Sequence, residues 1–367
     1  MKTIFFDSSE ILNHPSGMSI YSIELLREIV RQNTKYSIST GYVSSRRNLH
    51  DKLKDILALN NIDVPIERIN LPGRFAGKLP WTKRNYTLTH SPAYLNPNWI
   101  NAKKSIVTLH DLYYLRYPNS PGNNSPQLDN NFKKSVLLSD CIITDSEFSK
   151  TEIIELLKVD PHTIEICYPA SQWPVLVETN HITTPPQIHD KPYFLSVGGL
   201  CERKNYSLLI DVYKNFRKSH NDVDLIIVGK DQGHTSSVLK LLKETQGVIW
   251  KPYCSINELK SLYTNARAFL MPSVYEGFGI PLLEALQHQC PSAFSKGSSM
   301  DEIAGIAALG IEPNNKNEWL TAMETLLNDD KKRQHLMQEG LKQAEKFNWK
   351  KSASQILKIY DKFFQTS

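Results

Sequence analysis

One stretch of sixteen residues constrains this chain more than any other: Met271-Pro272-Ser273-Val274-Tyr275-Glu276-Gly277-Phe278-Gly279-Ile280-Pro281-Leu282-Leu283-Glu284-Ala285-Leu286. The apolar run Ala268 to Met271 reads as a buried strand. It stops at Pro272-Ser273, a glycine-containing turn follows, and Pro281 sits where the first turn of a helix tolerates it. Gly277 and Gly279 let a ligand approach the backbone closely, and the helix start adds unpaired N–H donors and the positive end of its dipole. The result is a cradle for an oxygen-rich ligand, with Glu276 on the loop and Glu284 placed in the first helical turn, eight positions later. A molecule with hydroxyls at two separated places, such as a nucleotide sugar, could meet one acid at each end. The same residues also serve a plain turn, with Glu284 only complementing the dipole.

The pattern Pro-Ser-x-Tyr-Glu-Gly-Phe-Gly-x-Pro-x-x-Glu-Ala resembles the Glu-x7-Glu signature of retaining glycosyltransferase family 4, whose members have the GT-B fold. The resemblance implies two Rossmann-like α/β domains facing each other across a cleft. It places Glu276 beside the donor sugar and Glu284 on the ribose hydroxyls. The loop through Gly277, Phe278, Gly279 and Ile280 would bind the sugar and phosphate of the donor.

Length and composition agree with two domains. A chain of 367 residues exceeds one ordinary core, and 40% hydrophobic residues can fill two. The five cysteines form no Cys-x-x-Cys pair and have no histidine at ligand spacing, which points to reduced thiols, a cytoplasmic setting and no zinc site. Met1 to Asp7 is too short an apolar run for a signal peptide, and no segment approaches the roughly 20 apolar residues that span a bilayer. A net charge of +5 without a basic stripe bearing stacking aromatics argues against nucleic acid.

In chain order, the strand Thr3 to Phe6 leads through His14 to Ser19 into a helix marked by Ile20, Ile23, Leu26 and Ile29. In the resembling family this loop faces donor phosphates, which makes Gly17 and Ser19 donor-binding candidates; a turn and a core helix explain it equally well. Residues 41–84 are locally basic, and the part from Arg74 to Arg84 includes Phe75, Leu79 and Trp81. That part reads either as a solvated loop or as a peripheral seat on an anionic membrane or lipid-pyrophosphate acceptor.

His90, His110 and Asp111 fall at strand ends, where parallel α/β sheets collect ligands, although strand-end histidines also cap and pack. The resemblance assigns His110 a contact with a donor-sugar hydroxyl and leaves Asp111 as a weaker candidate. Asp145 to Lys150 begins a helix with good N-cap chemistry. The family has a similar segment there, which adds Ser146 and Lys150 as cleft candidates. Pro118 to Pro126 reads as an acceptor-side loop.

The first domain is placed at residues 1–170, a Pro/Thr-rich linker at 171–190, the nucleotide-sugar domain at 191–348, and a final helix at 349–367 that returns to the first domain. Strand Tyr193 to Val197 is followed by Gly198-Gly199-Leu200-Cys201-Glu202-Arg203-Lys204-Asn205. Two cations at a helix start oppose its dipole and call for an anion. By resemblance, Arg203 and Lys204 hold the donor pyrophosphate and stabilise the leaving diphosphate. The loop after Trp250, with Pro252 and Tyr253, corresponds to the nucleobase region; these two residues serve a plain turn equally well. Ser292-Ala293-Phe294-Ser295 departs from the family's Val-rich strand.

The resemblance thus implies metal-independent hexosyl transfer with retention, without an Asp-x-Asp motif or cofactor, to a glycan or lipid-linked acceptor of bacterial surface polysaccharide. GDP-mannose is the first donor expected, and UDP- or dTDP-sugars follow. A non-catalytic nucleotide-sugar binder remains the reading from a different class. An epimerase or phosphorylase lacks its lysine context or paired acids.

Overall fold

The computed structural model describes residues 2–13, 16–43, 49–69, 85–93, 100–120, 133–134, 136–173, 188–233 and 235–365. The basic segment Arg74 to Arg84, most of the loop before Pro126 and most of the Pro/Thr-rich linker therefore lie outside the described residues. Two compact units make up the chain: Met1–Arg116, Ser125–Gln172 and Phe347–Ser367 form the first, and Tyr117–Asn124 with Trp173–Lys346 forms the second.

The first unit is built on a seven-stranded parallel sheet. Its strands are β1 (Thr3–Asp7), β2 (Ser37–Val43), β3 (Ile66–Ile69), β4 (Tyr86–Ser91), β5 (Ala102–Leu109), β6 (Cys141–Thr144) and β7 (Ile164–Ile166). They are ordered β3-β2-β1-β4-β5-β6-β7, so the order reverses between β1 and β4. Such a reversal leaves a crevice beyond the carboxyl ends of the strands.

The helix Gly17–Gln32 buries Ile23, Leu26 and Ile29 on one face, as the 3.6-residue period demands. Against the same core lies the terminal helix Trp349–Gln365, whose Trp349, Ala353, Ile356, Tyr360 and Phe364 recur every three or four residues. Two polar contacts fix that helix. Trp349 Nε1 donates to Ser171 O at 2.9 Å, and the Tyr360 hydroxyl lies 2.6 Å from His90 Nδ1.

The second unit has a six-stranded parallel sheet of β8 (Tyr193–Val197), β9 (Asp224–Val228), β10 (Val248–Lys251), β11 (Ala268–Met271), β12 (Ser292–Ser295) and β13 (Leu309–Ile311). Its order is β10-β9-β8-β11-β12-β13. Successive side chains alternate between two buried faces: Phe194, Leu225, Ile227, Ala268 and Leu270 enter one cluster, and Leu195, Ile226, Val228, Phe269 and Met271 the other. Both faces are covered, which explains why these strands read as unbroken apolar runs. Ser292-Ala293-Phe294-Ser295 is itself a fully buried strand between β11 and β13, with Phe294 packed into the core on one face. The order reverses between β8 and β11, and the two loops that leave those strands are the two singled out in the sequence.

Candidate active site

At the β8/β11 crevice the sheet brings together loops separated by about seventy residues. Strand β8 ends at Val197 and is followed by Gly198, whose φ of +153° favours glycine, and a Cβ there would stand 2.9 Å from Lys204 Cε. That opening lets the Lys204 side chain pass over the loop. A short 3-10 turn, Glu202–Lys204, carries both cations, and Asn205 closes it in the left-handed conformation before the helix Tyr206–Phe216 starts. The loop after β11 is tied to this turn by Val274 N, which donates to Arg203 O at 2.8 Å.

Between these loops sits Glu276, buried at 5% exposure. Lys204 Nζ donates to its Oε1 at 2.6 Å and Arg203 Nη1 to its Oε2 at 2.6 Å. Arg203 Nη1 also reaches Tyr275 O at 3.2 Å. Burial alone would raise the Glu276 carboxyl, but the charges of Arg203 and Lys204 outweigh it and hold it at about 2. Lys204 is drawn below its usual range by burial and by the Arg203 charge, with Glu276 opposing.

The loop after β12 closes over this site. Ser299 Oγ donates to Glu276 O at 2.8 Å, and Met300 packs where Gly279, at φ +104°, has no side chain. Gly277 and Phe278 are buried in the loop, while Ile280 begins the helix Ile280–Gln287, which has no side-chain cap. Pro281 has no N–H, and Leu282 N and Leu283 N donate to Gly279 O at 3.0 and 3.2 Å, so the Ile280 amide is the donor this helix start offers to an anion.

Glu284 is not in the first turn. Gly279 ends the loop as the N-cap, so Glu284 is the fifth helical residue and stands in the second turn. It is buried, and one oxygen, Oε2, accepts from the Tyr263 hydroxyl at 2.9 Å. Burial pushes its carboxyl up to about 8, with the Tyr263 hydrogen bond opposing. Tyr263 stacks on His288, whose Nδ1 lies 2.8 Å from Glu284 O, and Trp173 sets its edge against both rings. Tyr253, placed with the donor, is 74% exposed, whereas Trp250 is fixed by its Nε1 on Gly229 O at 2.9 Å.

In the first unit, Gly17 and Ser19 open the helix Gly17–Gln32 under a capping box with Ser16: the Ser16 side chain accepts from Ser19 N, and Ser19 Oγ accepts from Ser16 N. Gly17 has open space around it, and Ser19 is buried. His110 follows β5, and Asp145 follows β6. Because Leu109 pairs with Thr144, the next residue of each strand comes side by side. His110 Nδ1 lies 2.8 Å from Asp145 Oδ2, and Nε2 lies 2.9 Å from Pro92 O.

Burial would lower the imidazole, but the Asp145 carboxylate raises it above its usual value. Both ring nitrogens are occupied, so a further ligand reaches one only by replacing a partner. Asp111 Oδ1 accepts from Tyr113 N at 3.2 Å, Ser146 is a buried N-cap accepting from Ser149 N, and Lys150 Nζ donates to Ile164 O at 3.1 Å. His90 is fully buried between Tyr360 and Thr108, and burial lowers it to about 3, so it is a neutral core residue.

The sequence reading assigned no site role to Asp145, Tyr263 or Ser299. Only Asp145 left a signal, as the residue after a strand that neighbours the one ending at His110. Among the described residues no group of three or more His, Cys, Asp or Glu side chains is placed to hold a metal ion. No helix of the described residues is long and apolar enough to cross a membrane.

Residues 179–343 match the family described as Glycosyl transferases group 1, so this stretch, which contains the Arg203, Lys204, Glu276 and Glu284 loops, is a glycosyltransferase domain of that group. Two relatives extend the likeness along the chain. O-antigen chain mannosyltransferase B of Escherichia coli is 26% identical over 98% of this chain and 99% of its own length. O-antigen chain mannosyltransferase RfbU of Salmonella typhimurium is 28% identical over 61% of each.

Solved structures share the fold at lower identity. Anabaena Alr3699/HepE in complex with UDP-glucose has a TM-score of 0.76 at 17% identity, covering 99% of this chain and 100% of that one. Sucrose-phosphate synthase from Thermosynechococcus elongatus has a TM-score of 0.75 at 18% identity, with both chains fully covered. The fold is GT-B, and residues 179–343 carry a glycosyltransferase group 1 domain.

Proposed function

We propose that this glycosyltransferase moves mannose from GDP-mannose, with retention of anomeric configuration and without a metal ion, to a glycan or lipid-linked acceptor of bacterial surface polysaccharide. The O-antigen mannosyltransferases among its relatives support the sugar and the pathway class. The observation that carries the reading is the pair of cations, Arg203 and Lys204, fixed around a buried position at the β8/β11 crevice beside an uncapped helix start.

As the bond from the sugar to the diphosphate breaks, negative charge grows on the leaving group. Donors already fixed in place stabilise that charge without reorganising. Arg203, Lys204 and the amide of Ile280 supply such donors, which is the work a divalent ion does in other transferases. Glu276 then reads the sugar, and Glu284, neutral near pH 7, reads the ribose hydroxyls. The acceptor hydroxyl attacks from the face that the diphosphate leaves.

Incubation with GDP-mannose, UDP-glucose and dTDP-rhamnose, with and without acceptor glycan, tests each part. GDP release dependent on acceptor, an α-linked product by NMR and full rate in excess chelator are the expected results. Release only from a UDP- or dTDP-sugar would replace the donor, activity restored solely by manganese would overturn the metal-free mechanism, and binding without any release would make the protein a nucleotide-sugar binder.

A further inference from the structure

Both oxygens of Glu276 are engaged by cations. Its Oε1 is held by Lys204 and its Oε2 by Arg203, each at 2.6 Å, and the carboxylate and the ammonium are both more than nine-tenths buried. These are also the cations assigned above to the donor diphosphate. A carboxylate spread between two cations presents two oxygens much as one face of a phosphate does, and charge-assisted bonds of this kind compete directly. The main chain beneath the acid is pinned by Ser299 Oγ on Glu276 O and by Val274 N on Arg203 O, so the carboxylate leaves by rotating its side chain.

We infer that Glu276 is an internal stand-in for the donor diphosphate, and that its contact with Arg203 and Lys204 determines specificity: only a ligand anionic enough to take both cations releases the acid to read the sugar. This rests on the function proposed above. A neutral sugar cannot displace the carboxylate, since withdrawing it would leave a buried ammonium beside a guanidinium with no anion between them. A diphosphate replaces one anion by another, and Lys204 stays paired throughout. Binding of the diphosphate and recognition of the sugar are thereby ordered, which protects the acid from free glycans around the acceptor.

The sign of the test is unusual for a binding-site acid. A protein whose site is self-occupied binds more weakly by the fraction of time the site is open, so removing the competitor tightens binding. Calorimetric titration of GDP, UDP and dTDP, none of which carries a sugar, should show Glu276→Gln binding its preferred diphosphate roughly tenfold or more tightly than the wild type. Transfer should fall in the same variant. Glu276→Asp, which keeps the charge on a shorter arm, should tighten binding by a smaller factor and provides a second reading if the first variant folds poorly. Arg203→Met and Lys204→Met should weaken binding.

Equal or weaker diphosphate affinity in both Glu276 variants would overturn the inference while leaving the proposed function intact. Failure of the wild type and every variant to bind any of the three diphosphates would overturn the proposed function, and the inference with it.

Discussion

Replacing Glu284 by glutamine should change how stability depends on pH across the neutral range. The wild-type carboxyl is held at about 8 by burial, against an ordinary value of 4.5. Below 4.5 it is protonated in both the folded and the unfolded chain. Between 4.5 and about 8 the unfolded chain has released the proton and the folded one has kept it, so stability falls as pH rises through this window; above it the loss is complete.

The distance from 4.5 to about 8, at about 1.4 kcal/mol per pH unit, amounts to about 5 kcal/mol, roughly half of it reached near pH 6. The Glu284→Gln side chain cannot titrate, though its amide brings a donor that must find a partner at a cost of about 1 kcal/mol. The two stability curves should therefore cross: wild type at least as stable at pH 5, variant more stable at pH 8.5. Urea unfolding followed from pH 4 to 9 on both proteins measures this. Asp7 and His110 also titrate with raised values, but they are common to both chains and cancel in the difference. Curves that run parallel across the range would refute the buried neutral acid.

Other substitutions test the supports of the site. A Cβ at position 229 would lie 2.0 Å from Gly198 O, at a φ of +152°, so Gly229→Ala should destabilise the second unit by about 2 kcal/mol or more, read by thermal unfolding. Asp145→Asn should lower the titration midpoint of His110, since the carboxylate is what holds the ring charged against burial; an unchanged midpoint by NMR would show that Asp145 is not the cause. Tyr360→Ala removes a fully buried ring and the partner of His90 Nδ1, and should cost about 3–5 kcal/mol, with hydrogen exchange rising along the helix Trp349–Gln365.

The fold class was legible because alternating apolar strands, glycine loops and amphipathic helices recur through both halves, and each signal is local. Strand order was not, since nothing in the periodicity of residues 193–197 or 268–271 says that those two strands are neighbours. That adjacency is what makes Arg203 and Lys204 meet Glu276, so two loops read separately as anion-binding and sugar-binding turn out to share one set of charges.

His90 and His110 look alike in sequence, each at the end of an apolar run. They part because His90 is still paired within the sheet, opposite Phe6, and is covered by Tyr360, whereas His110 stands one residue beyond the last pair of β5. The turn assigned to Glu284 was misplaced because Gly279, at positive φ, is the N-cap and the helix is already under way at Ile280, one residue before Pro281, a detail of backbone conformation that glycine permits and does not announce.

The two acids of the signature motif illustrate how one short segment obtains two chemistries from its surroundings. Both carboxyls are buried to a similar degree, so desolvation pushes both upward. Two cations reverse that for Glu276 and leave it ionised with a value of about 2, while Glu284 has only a hydroxyl for a partner and keeps its proton up to about 8. At neutral pH the segment therefore presents one anion and one neutral acid, and acid pairs driven apart in this way mark divided roles. On the proposed function, a second anion at position 284 would repel the donor diphosphate, whereas a protonated carboxyl can both donate to and accept from a ribose hydroxyl. On that reading the burial of Glu284 beside Tyr263 and His288 serves the proposed anion site as the cations do.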